Sequence, residues 1–269
     1  MAGTVVISGA STGIGRATAL HLKGLGFDVL AGVRREGDAP EGTTPVLLDV
    51  TDPVAIDLLA QRIGGGPLAG LVNNAGIGIG GPVEHIALDD WRAQFEVNLF
   101  GHVAMTRALL PALLAGHGRI VNMGSIGGRQ ALPLVSPYSA SKFAMHGFSD
   151  SLRLELRRQG VHVALVEPGA IATEIWRKAD ESFEAIESDL PADIAARYRR
   201  ELDGARKASD RAARHAIAAD KVAATVGHAL TARRPRARYV VGADARGQAL
   251  IERLPAAARD RLLRLAFGI

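Results

Sequence analysis

Seven short runs rich in Val, Ile and Leu punctuate this chain, and their character and spacing limit its fold more than any other feature. They are Val5 to Ser8, Val29 to Val33, Val46 to Val50, Leu71 to Asn73, Ile120 to Asn122, Val161 to Val166 and Tyr239 to Val241. Most are continuous rather than alternating, the pattern of strands covered on both faces, and the stretches between them are long enough for crossover helices. The expected architecture is α/β: a Rossmann-type doubly wound parallel sheet of about seven strands with helices on both faces. Between the first two runs Ile14, Ala17, Leu22 and Leu25 mark one helical face, and Gly24 and Gly26 stand where that helix should stop. Asp89 to Ala115 and Pro137 to Gln159 read as two long helices. With 269 residues, 48% of them hydrophobic, one domain spanning 1–269 can bury a single large core.

Composition narrows the function classes. The chain has no cysteine, which excludes disulfides and thiolate metal sites and is compatible with a cytoplasmic location. It opens on Val5-Val6-Ile7-Ser8 without a charged leader or cleavage site, and no apolar run approaches about 18 residues, so neither secretion nor a membrane span is expected. The net charge is +4, with twelve Lys or Arg against four Asp or Glu between Arg197 and Arg238. That excess suits a solvated helical face, or alternatively an acidic partner such as a CoA- or phosphopantetheine-carried substrate. Nucleic acid is a poor fit, because aromatic residues make up 4% of the chain and form no stacking platform interleaved with the charges. The eight histidines include no H-E-x-x-H or comparable pair, and no metal site is expected.

Chemistry first enters at Ser8-Gly9-Ala10-Ser11-Thr12-Gly13-Ile14-Gly15, between a strand and a helix. Glycines in such a turn let backbone approach a pyrophosphate, and the helix N-terminal N–H groups face the anion. The spacing is G-x-x-x-G-x-G, which departs from the common G-x-G-x-x-G; a glycine turn with no ligand is the alternative. Tyr138 and Lys142 stand i and i+4 after Pro137, so on a helix both lie on one face. An isolated phenol has a pKa near 10 and becomes a useful acid or base only beside a cation such as Lys142; the alternative is an ordinary pair on a solvated helix. Ser125 follows the fifth run, at the strand edge where open α/β sheets bind ligands. Its hydrolase reading is poor, because Met123-Gly124-Ser125-Ile126-Gly127 matches G-x-S-x-G imperfectly and has no assigned His and Asp partners. Asn98 lies in an apolar helical stretch, where a buried amide demands partners.

The glycine turn, Asn73-Asn74-Ala75-Gly76, Asn98, Ser125, Tyr138-Ser139-Ala140-Ser141-Lys142 and Pro168-Gly169 occur in this order, with 13 residues from Ser125 to Tyr138 and 4 from Tyr138 to Lys142. Together they resemble the short-chain dehydrogenase/reductase family in its tyrosine-lysine branch, strongly from about Thr4 to Thr173 and loosely beyond. The resemblance implies Tyr138 as general acid/base, Lys142 as its pKa tuner and ribose anchor, Ser125 as clamp on the substrate oxygen, and Asn98 as holder of a relay water. It implies a cofactor cradle of Gly9, Ser11, Thr12, Gly13, Ile14 and Gly15. Asn74, Ala75 and Gly76 would lie beside the dinucleotide, Asp49 and Val50 against the adenine, and Pro168, Gly169, Ile171 and Thr173 along the nicotinamide carboxamide. Asp49 is equally suited to bond its own backbone, and Ser139 and Ser141 read as packing residues. In the family, helices matching Asp89 to Ala115 and Pro137 to Gln159 pair across a twofold axis, which implies a homodimer or homotetramer.

The cofactor choice is read at the end of the second run. An NAD enzyme of this architecture normally places Asp or Glu there; here Val33 is followed by Arg34 and Arg35. A guanidinium meets a 2′-phosphate with paired charge-assisted bonds, worth about 2 to 3 kcal/mol or roughly 30- to 100-fold in favour of NADP(H). Arg34 is nearer the strand end, and Arg35 can point the other way; the alternative is that both solvate the loop before Glu36. Substrate choice is assigned to a helical lid from Ala172 to His215, where Trp176, Phe183, Ile186 and Leu190, then Ile194, Tyr198 and Leu202, mark two amphipathic helices. Such a lid suits a bulky hydrophobic ketone or secondary alcohol, steroid-, retinoid- or aromatic-ketone-like; the same residues can also merely pack the lid. The segment Tyr239 to Ala245 has a weak likeness to the steroid and retinol dehydrogenase side of the family. A reductase of a thioester-linked ketone, an epimerase or dehydratase, and a non-catalytic NADP-sensing protein are the rival readings.

Overall fold

A computed structural model describes residues 3–172 and 188–269. Its main sheet contains β1 (Thr4–Ile7), β2 (Asp28–Val33), β3 (Thr44–Leu47), β4 (Leu68–Asn73), β5 (Arg119–Met123), β6 (His162–Pro168) and β9 (Arg238–Val241). They lie in the order β3-β2-β1-β4-β5-β6-β9, and every pairing is parallel. This is the doubly wound Rossmann-type sheet expected from the apolar runs, with its order reversing between β1 and β4, where such sheets open a ligand crevice.

Helices explain why the runs are continuous. On one face α1 (Gly13–Gly24) and α8 (Ala219–Thr231) cover Val5, Ile7, Val29, Val72, Val121 and Val166. On the other, α2 (Pro53–Ile63), α4 (Gly101–Ala115) and α5 (Ser136–Leu156) cover Val6, Leu30, Leu71, Ile120 and Val163. Consecutive side chains of a strand point to opposite faces, so a strand buried on both needs apolar residues at every position. The start of α2 is fixed locally: Asp52 accepts the Val54 N–H at 2.9 Å, and Pro53 takes the first helical position. The third strand corrects the reading of Val46 to Val50. It spans Thr44–Leu47 because it is the sheet edge, half covered, with Leu47 exposed, while Leu48 and Val50 turn into the core beyond it.

Two further differences concern helices. Asp89 to Ala115 is helical throughout, but α3 (Leu88–Phe95) joins α4 through a wide π turn, Glu96–Phe100. By length and composition this stretch, Leu88–Ala115, would suffice to cross a membrane, yet Met105, Leu109 and Leu113 are buried in the core. In the segment assigned as a lid, Trp176, Phe183 and Ile186 lie outside the described residues. The rest forms α6 (Ala192–Arg197) and α7 (Arg199–His215), interrupted at Tyr198, with Leu190 and Leu202 buried. Two short strands, β7 (Ile171–Ala172) and β8 (Ile217–Ala218), pair in parallel and bring the two ends of this excursion together. The chain closes with α9 (Ala243–Ile251) and α10 (Ala256–Phe267).

Candidate active site

The glycine turn is locked to the end of β4. Ser8 is fully buried, and its hydroxyl accepts the N–H groups of Asn74 and Ala75, both at 3.0 Å. Asn74 answers by donating Nδ2 to the carbonyls of Ser8 and Gly9 at 3.0 Å. This packing leaves no room for side chains in the turn: Gly9 has φ +66°, and a Cβ on Gly15 would stand 2.0 Å from the Gly9 carbonyl oxygen. The first turn of α1 carries no acidic residue, and Thr12, its N-cap, makes no side-chain capping bond. A compact backbone with free N–H groups at a helix start and no competing carboxylate is what a pyrophosphate requires.

The π turn aims Asn98 at the loop after β4. Asn98 is fully buried; its Oδ1 accepts the Ile77 N–H at 2.9 Å, and Nδ2 donates to the Ile77 carbonyl at 3.0 Å and the Ser141 hydroxyl at 3.2 Å. Gln94, one turn earlier and also buried, accepts the Ile79 N–H at 2.7 Å and donates to the same Ile77 carbonyl at 2.8 Å. The two amides thus clamp residues 77–79. The Ser141 hydroxyl continues the chain by donating to the Tyr138 carbonyl at 2.7 Å, so Ser141 is more than the packing residue that its neighbours suggested. His102 donates Nε2 to the Ala75 carbonyl at 2.8 Å, and burial, with Lys142 adding to it, holds its pKa down at about 3.

Tyr138 and Lys142 sit in the first turns of α5, on one face, with the Lys142 ammonium 5.8 Å from the centre of the Tyr138 ring. Lys142 is buried and donates to the Met123 carbonyl at 2.9 Å; burial lowers its pKa to about 8. Burial pushes the Tyr138 phenol up, and a hydrogen bond with the Ser125 hydroxyl pulls the other way. The chain's own groups therefore keep Tyr138 protonated at neutral pH. Ser125 follows β5 and caps the short turn Ile126–Gly128 by accepting the Gly127 N–H at 3.0 Å. Asn98, Ser125, Tyr138 and Lys142 are thus brought together, at the C-terminal edge of the central strands.

The other sequence-selected residues that are described lie near the ends of the parallel strands. Arg34 is exposed directly after β2, and Asp49, after β3, feels its charge. The Asp49 carboxylate accepts the Thr51 N–H at 2.9 Å and hydroxyl at 2.7 Å, bonds that hold it below its ordinary range. Val50 is buried beside Gly101. Arg35 instead turns to its own loop and pairs with Asp38 at 2.9 Å. Pro168 ends β6, Gly169 donates to the Val241 carbonyl at 2.9 Å, and Ile171 is buried in β7; Thr173 lies outside the described residues. Sequence reasoning gave no role to Ser8, Gln94, His102 or Asp244, whose carboxylate accepts the Ala170 N–H at 2.7 Å. For Gln94 a signal existed: it stands four residues before Asn98, which puts both amides on one helical face.

Comparison with known proteins gives the site its setting. The short chain dehydrogenase family profile matches residues 3–183. An NADPH-dependent 3-dehydrocapnine reductase from Ornithobacterium rhinotracheale is 35% identical, over 88% of this chain and 87% of its own. Mouse retinol dehydrogenase 5 is 37% identical, over 90% of this chain and 81% of its own. Among solved structures, a short chain dehydrogenase from Burkholderia cenocepacia, crystallised in complex with NADP, superposes with a TM-score of 0.75 at 28% identity, covering 99% of this chain and 97% of that one. Profile, relatives and sheet order agree, and the protein belongs to the short-chain dehydrogenase/reductase family of oxidoreductases.

Proposed function

We propose that this enzyme moves hydride between NADP(H) and a bulky apolar ketone or secondary alcohol, working as a carbonyl reductase. The observation that carries the reading is the convergence of Ser125, Tyr138 and Lys142 at the strand edge that also carries the glycine turn. When bound, the dinucleotide supplies the hydride. Ser125 holds the substrate oxygen, and the protonated Tyr138 phenol gives its proton to that oxygen as negative charge develops there. Lys142, still charged below its pKa of about 8, stabilises the phenolate left behind and anchors the ribose. Asn98 fixes the loop facing the phenol.

The doubly wound fold accepts NAD and NADP alike, so the cofactor preference rests on Arg34 and on the missing carboxylate after Val33. Gly9, Gly13 and Gly15 with Ser11, Thr12 and Ile14 would hold the pyrophosphate. Asp49 and Val50 would flank the adenine, and Pro168, Gly169 and Ile171 the carboxamide. The excursion between β7 and β8 is the substrate cover of a single domain: it starts beside Gly169, and Arg197 and Asp189 reach across to Glu84 at 2.5 Å and His85 at 3.3 Å in the loop after β4. A relative named for retinol, a largely hydrocarbon alcohol, supports an apolar substrate, and one named as an NADPH-dependent reductase supports the cofactor and direction.

The test mixes protein and NADPH with steroids, retinoids, aromatic ketones, sugars and acyl thioesters and follows nicotinamide absorbance. Oxidation of NADPH with an apolar ketone is expected. Turnover only of acyl thioesters would favour the thioester-ketone reading, and tight NADPH binding with no turnover of any carbonyl would favour a sensor.

A further inference from the structure

A group of charged side chains gathers around the loop that carries Ser125, bonded to one another rather than to Tyr138 or Lys142. Glu167 is fully buried on β6, beside Pro168. Its carboxylate accepts Nε and Nη2 of Arg129, the latter at 3.0 Å, and Arg129 directly follows the turn that Ser125 caps. Arg238 of β9 approaches the same carboxylate at 3.5 Å and pairs with Asp150 of α5 at 2.5 Å. Arg129 Nη1 also donates to Glu252, at the end of α9, at 2.9 Å.

His146 of α5 joins this group to the serine. Its Nε2 lies 3.2 Å from the Ser125 carbonyl oxygen and its Nδ1 3.4 Å from Arg238 Nη1. A carbonyl only accepts and a guanidinium only donates, so one neutral tautomer, with the proton on Nε2, satisfies both neighbours. Burial lowers the imidazole pKa, Glu167 pulls it up, and Arg238 and Arg129 push it down again. The loop makes room for the ring: a Cβ on Gly128 would stand 2.4 Å from His146 Nε2. Buried ion pairs are poor sources of stability, because desolvation offsets their attraction; what such a cluster can supply is fixed geometry.

We propose that His146 and the Arg129–Glu167 pair are positioning residues for Ser125, holding residues 125–129 so that the serine hydroxyl meets the substrate oxygen beside Tyr138. The proposal rests on the role of Ser125 given above. It is tested in the full-length protein with NADPH and the best carbonyl substrate, comparing His146→Leu with His146→Gln. Leucine fills the space and cannot donate; the glutamine amide can restore a donor to the Ser125 carbonyl. The leucine variant should lose kcat by about 10²-fold, the scale of a misplaced reacting group, with the NADPH Kd within twofold, and glutamine should restore most of kcat. Wild-type kcat in the leucine variant, or glutamine as slow as leucine, overturns the proposal. Arg129→Lys keeps the charge and loses the two-oxygen grip on Glu167, so it serves if the leucine variant does not fold: kcat should fall at constant NADPH Kd, and an unchanged kcat counts against the frame. Ser125→Ala separates the two readings. If it keeps wild-type kcat the serine role is wrong; if it is slow while His146→Leu and Arg129→Lys are fast, only the positioning frame is wrong.

Discussion

The Lys142 ammonium stands over the Tyr138 ring, 5.8 Å from its centre and one turn along the same helix. Removing only the phenol hydroxyl, in Tyr138→Phe, should lower kcat by about 10²- to 10⁴-fold, the usual loss for a general acid. NADPH affinity, read by fluorescence titration, should change little. Near-normal turnover in that variant would end the mechanism. Lys142→Ala should harm both turnover and cofactor affinity, and an unchanged cofactor Kd would remove the ribose-anchor role.

Arg34 and Arg35 are neighbours in sequence with different company. Arg35 is engaged with Asp38 at 2.9 Å, whereas Arg34 is exposed at the strand end. Wild type should prefer NADPH over NADH by roughly 30- to 100-fold. Arg34→Ala should lose most of that preference with NADH affinity nearly constant, and Arg35→Ala should keep it. Equal or better NADH binding by wild type refutes the assignment.

His102 gives the fold a predictable acid response. Its folded pKa of about 3 lies below the ordinary 6.5 because burial disfavours the charged ring. A group whose folded pKa is lowered binds protons preferentially in the unfolded chain, so stability is intact above about 6.5 and is lost as pH falls through the window toward 3. At pH 5 the loss is about 2 kcal/mol, at 1.36 kcal/mol per unit. In urea melts, His102→Gln should therefore flatten the dependence of stability on pH between about 7 and about 5. Curves that run parallel to wild type would show that His102 is not the responsible group.

The sheet was legible because each central strand is buried twice and must be apolar throughout, a demand that leaves Val5-Val6-Ile7 and Val163 to Val166 unmistakable. Val46 to Val50 was misread because an edge strand meets only half of that demand. Tyr138 and Lys142 were readable from spacing, since i and i+4 positions share a helical face whatever surrounds them, whereas Ser125 and Asn98 were legible only through the order of motifs that resembles the family. Ser8 and Ser141 were not readable, because a serine hydroxyl that only packs looks the same in sequence as one that holds the distant Asn74 and Ala75 N–H groups or takes a bond from Asn98. The π turn was equally hidden: it accompanies the grip of Asn98 on Ile77, a contact across 21 positions of chain.

Assembly is testable through the same helices. Leu88, Phe100, Phe143 and Leu154 are exposed on the α3, α4 and α5 region. A self-complementary contact burying them would give a homodimer or homotetramer. Sedimentation at micromolar concentration should show a species of at least twice 28.2 kDa; a lone monomer there argues decisively against this arrangement.

The bridge from Arg197 to Glu84 spans the proposed substrate cleft at 2.5 Å. Exposed pairs of this kind are weak. Glu84→Gln should therefore raise KM for a bulky ketone by no more than about fivefold, leaving kcat and the NADPH Kd as in wild type. A fall in kcat with KM unchanged would contradict a role in covering the substrate.

The parallel pairing of Ile171 with Ile217 carries an evolutionary consequence. Two short strands close the ends of the excursion, so the sheet sees the same boundary whatever lies between them, and the contacts with Glu84 and His85 are those that a new segment has to remake. Closing a flexible loop becomes only about 0.6 kcal/mol more costly for each doubling of its length. The segment between these strands can accordingly be lengthened, shortened or rewritten with little penalty to the core, and selection can change the enzyme's diet without renegotiating its stability. Replacing residues 173–216 with the matching segment of a relative should transfer substrate preference while Tm moves by only a few degrees; a transplant that unfolds the protein would show that the boundary is not the insulator proposed.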